Sequence, residues 1–395
     1  MNLGIWLFVV AILVVVMVHE SGHFFAAKYF NFKATQFFVG FGPTLFSRVK
    51  GETEYGVKAL PLGGFVKIVG MNPYEEIPPE EQHRSYPNKP RWQRVIVLVA
   101  GSATHWPVAF VTLLIAGMAF GYPTGEPSNQ ISAVAPRAFG QETPAAAAGF
   151  ELDDTIVVID GEEVDSWDEV RTFIRANPGE SASFVVERDG QRETIEAEVG
   201  TAIVTSKTNE LVALAPAGED VGEPDEGESK VGYLGVGPQP EIETYGFGEA
   251  VTHSGERVWD MTVRSVIGVP QVFAQVFNGD IFNALGGEGE RSAEDSPIGI
   301  VGASRIVGES ANRGEYTAIF EMIAAFTIFV GLMNLLPLPP LDGGHLAVVA
   351  WESITKRKVD IRKLIPVSVA VIGFFIVLFV AVLYLDLARP VNLPF

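Results

Sequence analysis

The sequence predicts a polytopic α-helical membrane protein: four transmembrane helices, a membrane-associated β-rich element and an extracytoplasmic α+β domain. Three observations lead there. Of 395 residues, 48% are hydrophobic and the mean hydropathy is +0.25, a balance uncommon in a wholly soluble chain. Four apolar stretches, at residues 1–30, 95–121, 317–341 and 364–387, approach the roughly 20 residues that a helix needs to cross the hydrocarbon core. Charge is also uneven. Residues 28–94 hold ten Lys/Arg against six Asp/Glu and 351–364 five against two, whereas 122–315 hold twelve against thirty-six.

Positive charge marks the cytoplasmic ends of membrane helices. The connections 31–94 and 342–363 are therefore expected on the cytoplasmic face, with both termini and the acidic segment outside. The first span lacks a basic start and a small-residue cleavage site, so it reads as a retained helix rather than a signal peptide. A net charge of −20 argues against nucleic acid as a partner. With no cysteine in the chain, disulfides, thiol catalysis and thiolate metal sites are excluded.

Between the first two spans, residues 31–70 read as a short β-rich piece with Gly40, Gly42, Gly51, Gly56, Gly63 and Gly64; Tyr55, Val57 and Ala59 alternate as in a strand. The piece is either an ordinary hairpin or a strand edge that pairs with an extended substrate. Residues 71–94, rich in proline, read as an irregular linker. Outside, residues 122–200 form an α+β domain with strands at 156–159, 183–187 and 194–199, a helix at 167–176 and a turn at Asp160-Gly161. Residues 215–230 are acidic, poor in apolar residues and expected to be disordered. In 201–316, residues 246–277 carry Val251, Val258, Met261, Val269 and Phe273 at helical spacing, a helix expected to lie along the membrane surface.

His19-Glu20-Ser21-Gly22-His23 places two histidines one helical turn apart, so that both rings reach one cation, with a glutamate beside them to take a proton from an activated water. Ionisable residues inside an apolar span cost a few kcal/mol each unless partnered, which makes a functional role the default. The bland alternative is a polar cap at the interface. A catalytic zinc takes three protein ligands, and Asp342 lies at the cytoplasmic end of the third span, the level that charge assigns to His19 and His23. By itself Asp342 reads as a turn residue before Gly343-Gly344. Asn334 can donate to and accept from an unwound peptide. His345 is either a hydrogen-bonding partner behind the ligands or an interfacial histidine. His105, within the second span, is a hydrogen-bonding strut, a residue lining the site or a fourth ligand. His83 and His253 read as bystanders.

HESGH paired with the distant NLLPLPPLDGGH resembles the site-2 protease family of intramembrane zinc proteases, in particular its actinobacterial regulators of sigma-factor signalling. FVGFGP (38–43), EYGVKALPLGGFVK (54–67) and SPIGIVG (296–302) extend the resemblance over nearly the whole chain. It implies one Zn2+ per chain on His19, His23 and Asp342, with Glu20 as general base and Asn334, Gly63 and Gly64 holding the substrate strand. It further implies a membrane-reentrant β element at 31–70 and a plasma-membrane location. The implied substrate is a single-span membrane protein, such as an anti-sigma factor, already trimmed outside by a site-1-type protease. Residues 145–161 (AAAAGFELDDTIVVIDG) resemble a PDZ domain, with Asp153 where that pattern has glycine. The family's Gly-Pro-x-x-Asn is here Gly101-Ser102-Ala103-Thr104-His105, which places His105 at the asparagine. Two rival readings remain: a catalytically silent scaffold that binds peptides through the PDZ-like domain, and a metal transporter that uses the same ligands.

Overall fold

The computed structural model describes residues 3–72, 74–138, 141–205, 211–215, 221–225, 227–279, 291–292, 298–312, 315–389 and 391–392. They divide into two compact units, Met1–Gly121 with Thr244–Pro394, and Tyr122–Glu243.

Among the described residues of the first unit, four helices are long and apolar enough to cross a membrane: Val10–Tyr29, Arg91–Ala119, Tyr316–Asn334 and Ile361–Ala388. The first lies in α1 (Leu3–Tyr29). A strand pair follows, β1 (Ala34–Lys50) and β2 (Thr53–Ile68). The register shows four short runs rather than a plain hairpin: Gln36–Val39 is flanked on one side by Gly64–Lys67 and on the other by Glu54–Val57, which also pairs with Phe46–Val49. The run Gly64–Lys67 is therefore paired along one side only. Gly64 lets it approach α1, since a Cβ there would sit 2.7 Å from Met17 Sδ.

Residues 71–94 are better fixed than a linker. Short 3-10 turns at Pro79–Arg84 and Tyr86–Asn88 are stitched back by Tyr86 N donating to Val69 O (2.9 Å) and Lys33 N to Arg84 O (3.1 Å). Tyr86 is buried, which pushes its phenol up to about 12. Arg84 grips Glu52 through both terminal nitrogens (2.7 and 2.8 Å), and Lys28 adds a third contact (2.6 Å).

The second span starts earlier than the apolar run, because Arg94 is buried against Glu352 (2.9 Å) instead of marking a water-facing end. It is also two helices, α2 (Arg91–Ala103) and α3 (His105–Ala119), broken at Thr104, whose hydroxyl turns back to Gly101 O (2.6 Å). A side chain at Gly22 would strike the Ala100 carbonyl, and one at Gly101 the His23 ring, so α1 and α2 meet through glycines at close backbone range.

After the second unit come α4 (Phe247–Phe277), α5 (Ile300–Asn312), α6 (Tyr316–Asn334), α7 (Asp342–Thr355) and α8 (Ile365–Ala388). The helix expected along the membrane surface is α4. Its Val258 and Met261 pack on Ala109, Leu113, Ala324 and Ile328 of α3 and α6, and Thr262 accepts from Trp106 Nε1 (3.0 Å). Of SPIGIVG, 296–297 lie outside the described residues; the amides of Gly299 and Gly302 donate to the buried Asp386 carboxylate of α8 (3.2 and 2.8 Å). The third span stops at Asn334 instead of 341, and the predicted 342–363 loop opens with helix α7. Prolines 337, 339 and 340 lack the amides that would continue α6.

The second unit is built on a sheet ordered Val236–Glu243, Tyr122–Val134, Thr155–Ile159, Ser181–Arg188, Gln191–Glu198, with Glu162–Glu163 beside the third. Helix Trp167–Ala176, capped by Ser166 accepting from Glu169 N (3.4 Å), turns Trp167, Val170 and Ile174 onto Ile131, Phe150, Ile156 and Phe184. Asp153 has a φ of 70°, the left-handed conformation that aspartate tolerates better than most residues. The acidic stretch read as disordered is partly strand, because Glu228–Tyr233 pairs with Gly200–Thr205; 216–220 and 226 lie outside the described residues.

Candidate active site

On α1 the one-turn spacing brings His19 Nε2 within 3.0 Å of His23 Nε2. Asp342, the first residue of α7, reaches the same point: its Oδ2 lies 3.2 Å from His19 Nε2 and 3.1 Å from His23 Nε2. Gly343 and Gly344 permit this, for a Cβ on the first would strike the Leu335 and Leu336 carbonyls and one on the second would sit 2.5 Å from Pro339 N. Two residues of the opening helix and one from beyond position 340 thus converge.

These separations suit a tetrahedral cation. Bonds of roughly 2.0–2.1 Å to nitrogen and oxygen place neighbouring ligand atoms about 3.3 Å apart. The protonation pattern fits as well. His23 Nδ1 donates to Val97 O (2.7 Å), the arrangement in which a neutral ring keeps its lone pair on Nε2, the atom beside Asp342 and His19. No other group of three His, Cys, Asp or Glu among the described residues meets the same test. The donor set, two imidazoles and a carboxylate, suits zinc and leaves the fourth position for water or substrate.

The triad opens on a cavity of about 240 Å³ lined also by Glu20, Val66, Ile68, Met71, Val97, Asn334, Pro340 and Leu341. Glu20 Oε2 accepts from Val66 N (3.0 Å), so the carboxylate rests on the unpaired side of Gly64–Lys67. Asn334, at the end of α6, reaches the cavity wall. Gly63 and Gly64 are not among its lining residues; Gly64 lets the strand pass close to α1, Gly63 lies against Phe41 of β1, and Val66 and Ile68 line the cavity.

The two remaining candidate histidines differ. His105 faces the opposite side of the His19 ring, Nε2 to Nδ1 at 3.0 Å, so it is a strut and not a fourth ligand. Its own Nδ1 meets Thr327 Oγ1 at 2.7 Å. His345 lines a second cavity, of about 230 Å³, which shares only Met71 and Pro340 with the first. Sequence reasoning missed four contributors: the Val97 carbonyl, the Val66 amide, Thr327, and the Arg94–Glu352 pair that ties α2 to α7.

Residues 7–380 match peptidase family M50. The chain belongs to this family. Zinc metalloprotease Rip1 of Mycobacterium tuberculosis is 34% identical over 99% of this chain and 98% of its own length. Rip1 of Mycolicibacterium smegmatis is 32% identical over 99% of each chain, and metalloprotease MmpA of Caulobacter vibrioides is 29% identical over 87% of this chain and 85% of its own. As an M50 peptidase of the site-2 protease type, the chain is a zinc metalloendopeptidase, and its cofactor is Zn2+.

Proposed function

We propose that the chain is a multi-pass intramembrane endopeptidase of the cell membrane that performs the second cut in a two-step cleavage. Its substrate is a single-span membrane protein already trimmed outside by a site-1-type protease, with anti-sigma factors as the class the resemblance favours. The charge asymmetry supports a topology with both termini and residues 122–243 outside. The sheet, helix and glycine-like Asp153 of that segment support a PDZ-like unit that restricts or binds substrate ends.

One observation carries the reading: the strand run with a free side passes directly beside the triad and the glutamate. A transmembrane helix satisfies its own backbone groups, so its peptide bonds are shielded until it unwinds, and an unwound segment needs replacement hydrogen bonds at membrane depth. The Val66–Ile68 edge offers a strand partner, and the Asn334 amide, in the lining of the same cavity, offers both a donor and an acceptor. His19, His23 and Asp342 would hold the zinc, which supplies Lewis acidity toward a peptide carbonyl and a water. Glu20 leaves the Val66 amide, takes the proton of the attacking water and delivers it to the leaving amine. The incoming strand takes over the amide that Glu20 releases.

Purified protein, wild type beside Glu20→Gln, should be assayed for zinc content and for cutting of a model single-span peptide. Retained zinc with a rate lower by about 10²–10⁴ is the expected result. Unchanged cutting in the variant, or no cutting by wild type with zinc bound, would sink the assignment.

A further inference from the structure

The two histidine ligands are oriented by different means. His23 Nδ1 faces a backbone carbonyl, that of Val97, which can only accept. His19 Nδ1 faces another imidazole, that of His105. An imidazole nitrogen accepts only when the ring carries its proton on the other nitrogen, so a side chain of this kind orients a ligand only if its own tautomer is fixed.

The structure supplies a partner for that proton, a hydroxyl able to accept from Nδ1–H. His105 is 1% exposed and Thr327 is fully buried, with His105 Nδ1 2.7 Å from Thr327 Oγ1. Gly331, one turn further along α6, makes the seat: a Cβ there would stand 2.9 Å from His105 Cδ2. The helix break at Thr104 places His105 at the first position of α3, opposite that seat. When His19 presents its Nε2 lone pair to a cation, its Nδ1 carries hydrogen. His105 must then accept at Nε2, carry its own proton on Nδ1 and donate to the threonine hydroxyl.

We propose that His105, locked by Thr327 in a seat opened by Gly331, is the positioning residue that fixes the orientation and tautomer of the metal ligand His19. The inference rests on the zinc site described above and adds to it a directed chain from α1 through α3 to α6. Partners behind metal ligands of this kind are worth about 10–100-fold in metal affinity.

The test is zinc affinity, read by competition with a chromophoric chelator on the purified full-length protein, alongside melting of each metal-free variant. His105→Leu removes the acceptor and should weaken zinc about 10–100-fold. His105→Gln, whose side-chain oxygen reaches about as far from the backbone as the imidazole Nε2, should recover most of that loss. Thr327→Val, which frees the tautomer but leaves the ring in place, should fall between the two. A purely structural role predicts equal losses in His105→Leu and His105→Gln, tracking the fall in metal-free melting temperature, and that pattern would overturn the proposal. Equal zinc affinity in wild type and His105→Leu overturns it as well, while the site itself survives. Absence of zinc from wild type overturns both the site and this inference.

Discussion

Asp154 in the second unit is fully buried and Asp342 in the first is half-buried, and the two are placed to different ends. Asp154 in the Tyr122–Glu243 unit is fully enclosed and fully answered. Arg188 meets both its oxygens at 2.7 Å, and Glu151 N adds a third hydrogen bond at 2.9 Å. That carboxylate holds Arg188 above its ordinary pKa. Asp342 brings one oxygen to two imidazole nitrogens, His19 Nε2 at 3.2 Å and His23 Nε2 at 3.1 Å, and among the described residues it has no arginine or lysine as an ion-pair partner. A closed ion pair completes a fold, whereas three ligand atoms of metal-binding type brought to one point leave room for a cation. The chemistry of the partners, as well as the degree of burial, separates these cases.

The same substitution at both sites sharpens this contrast, and its effects are the largest expected. Asp154→Asn takes the fully buried carboxylate from Arg188, a half-buried cation that keeps Glu151 and Glu193 at 3.3 Å, and should destabilise that unit by about 2–3 kcal/mol, read as lost hydrogen-exchange protection along Thr155–Ile159 and Ser181–Arg188 in the full chain. Asp342→Asn should abolish stoichiometric zinc binding and cleavage, while the metal-free protein melts at or above the wild-type temperature, because a carboxylate without its cation is removed. A large drop in metal-free melting for Asp342→Asn would mean that the site is itself a structural ion pair, and the contrast would fail.

The legibility of the two units differs for related reasons. Short apolar runs at 156–159 and 183–187, with turn residues between, suffice to predict strands in the second unit, because each run is bounded by its turns and the pattern is local. In the first unit His19, Glu20 and His23 are legible through their spacing, and Asp342 through charge and topology. The break at Thr104 is harder. Apart from His105 every neighbour is apolar or small, so hydropathy runs nearly straight through it, and Gly101 upstream and Pro107 in the first turn of α3 are what hint at it. Val97 and Val66 contribute backbone atoms, which carry no residue-type signal at all. Thr327 is hidden differently: a threonine in an apolar helix ordinarily bonds its own helix backbone, so its identity says nothing about a distant imidazole. The substrate role of Gly63 and Gly64 comes from the family resemblance, and no local pattern announces that Gly64 also lets the strand close on α1.

That close approach gives the next effect in size. The metal site is packed through absent side chains, and Gly101 is the most exposed to test because a methyl there would occupy the space of the His23 ring. Gly101→Ala should cost about 1–3 kcal/mol by overpacking and weaken zinc by displacing His23 from the Val97 carbonyl. In the second unit, Gly149→Ala adds a methyl that meets nothing within 4 Å, so only its φ of 88° opposes it. That variant should leave zinc affinity untouched. Wild-type zinc affinity in Gly101→Ala would show that α1 and α2 can separate without loss, against the view that the site depends on glycine-mediated contact.

The smallest effect separates charges at the water-facing rim from those in the helices. Glu52, at the turn between β1 and β2, is held by Arg84 first and Lys28 second, which brings its carboxyl down to about 2 from an ordinary 4.5. Since the folded value lies below the ordinary one, its contribution to stability is complete above about pH 4.5 and is lost as pH falls toward 2. The group is open to solvent screening, so the contribution stays at or below about 1 kcal/mol. Melting curves collected from pH 6 down to pH 2 should therefore fall less steeply for Glu52→Gln than for wild type, and the two should converge at the acid end. Added salt should shrink the difference at pH 6, as it does for exposed pairs and does not for enclosed ones such as Asp154–Arg188. Parallel curves at all pH values would show that Glu52 anchors the turn through shape alone, and that the charge around it adds nothing to the placement of the strand edge beside His19 and His23.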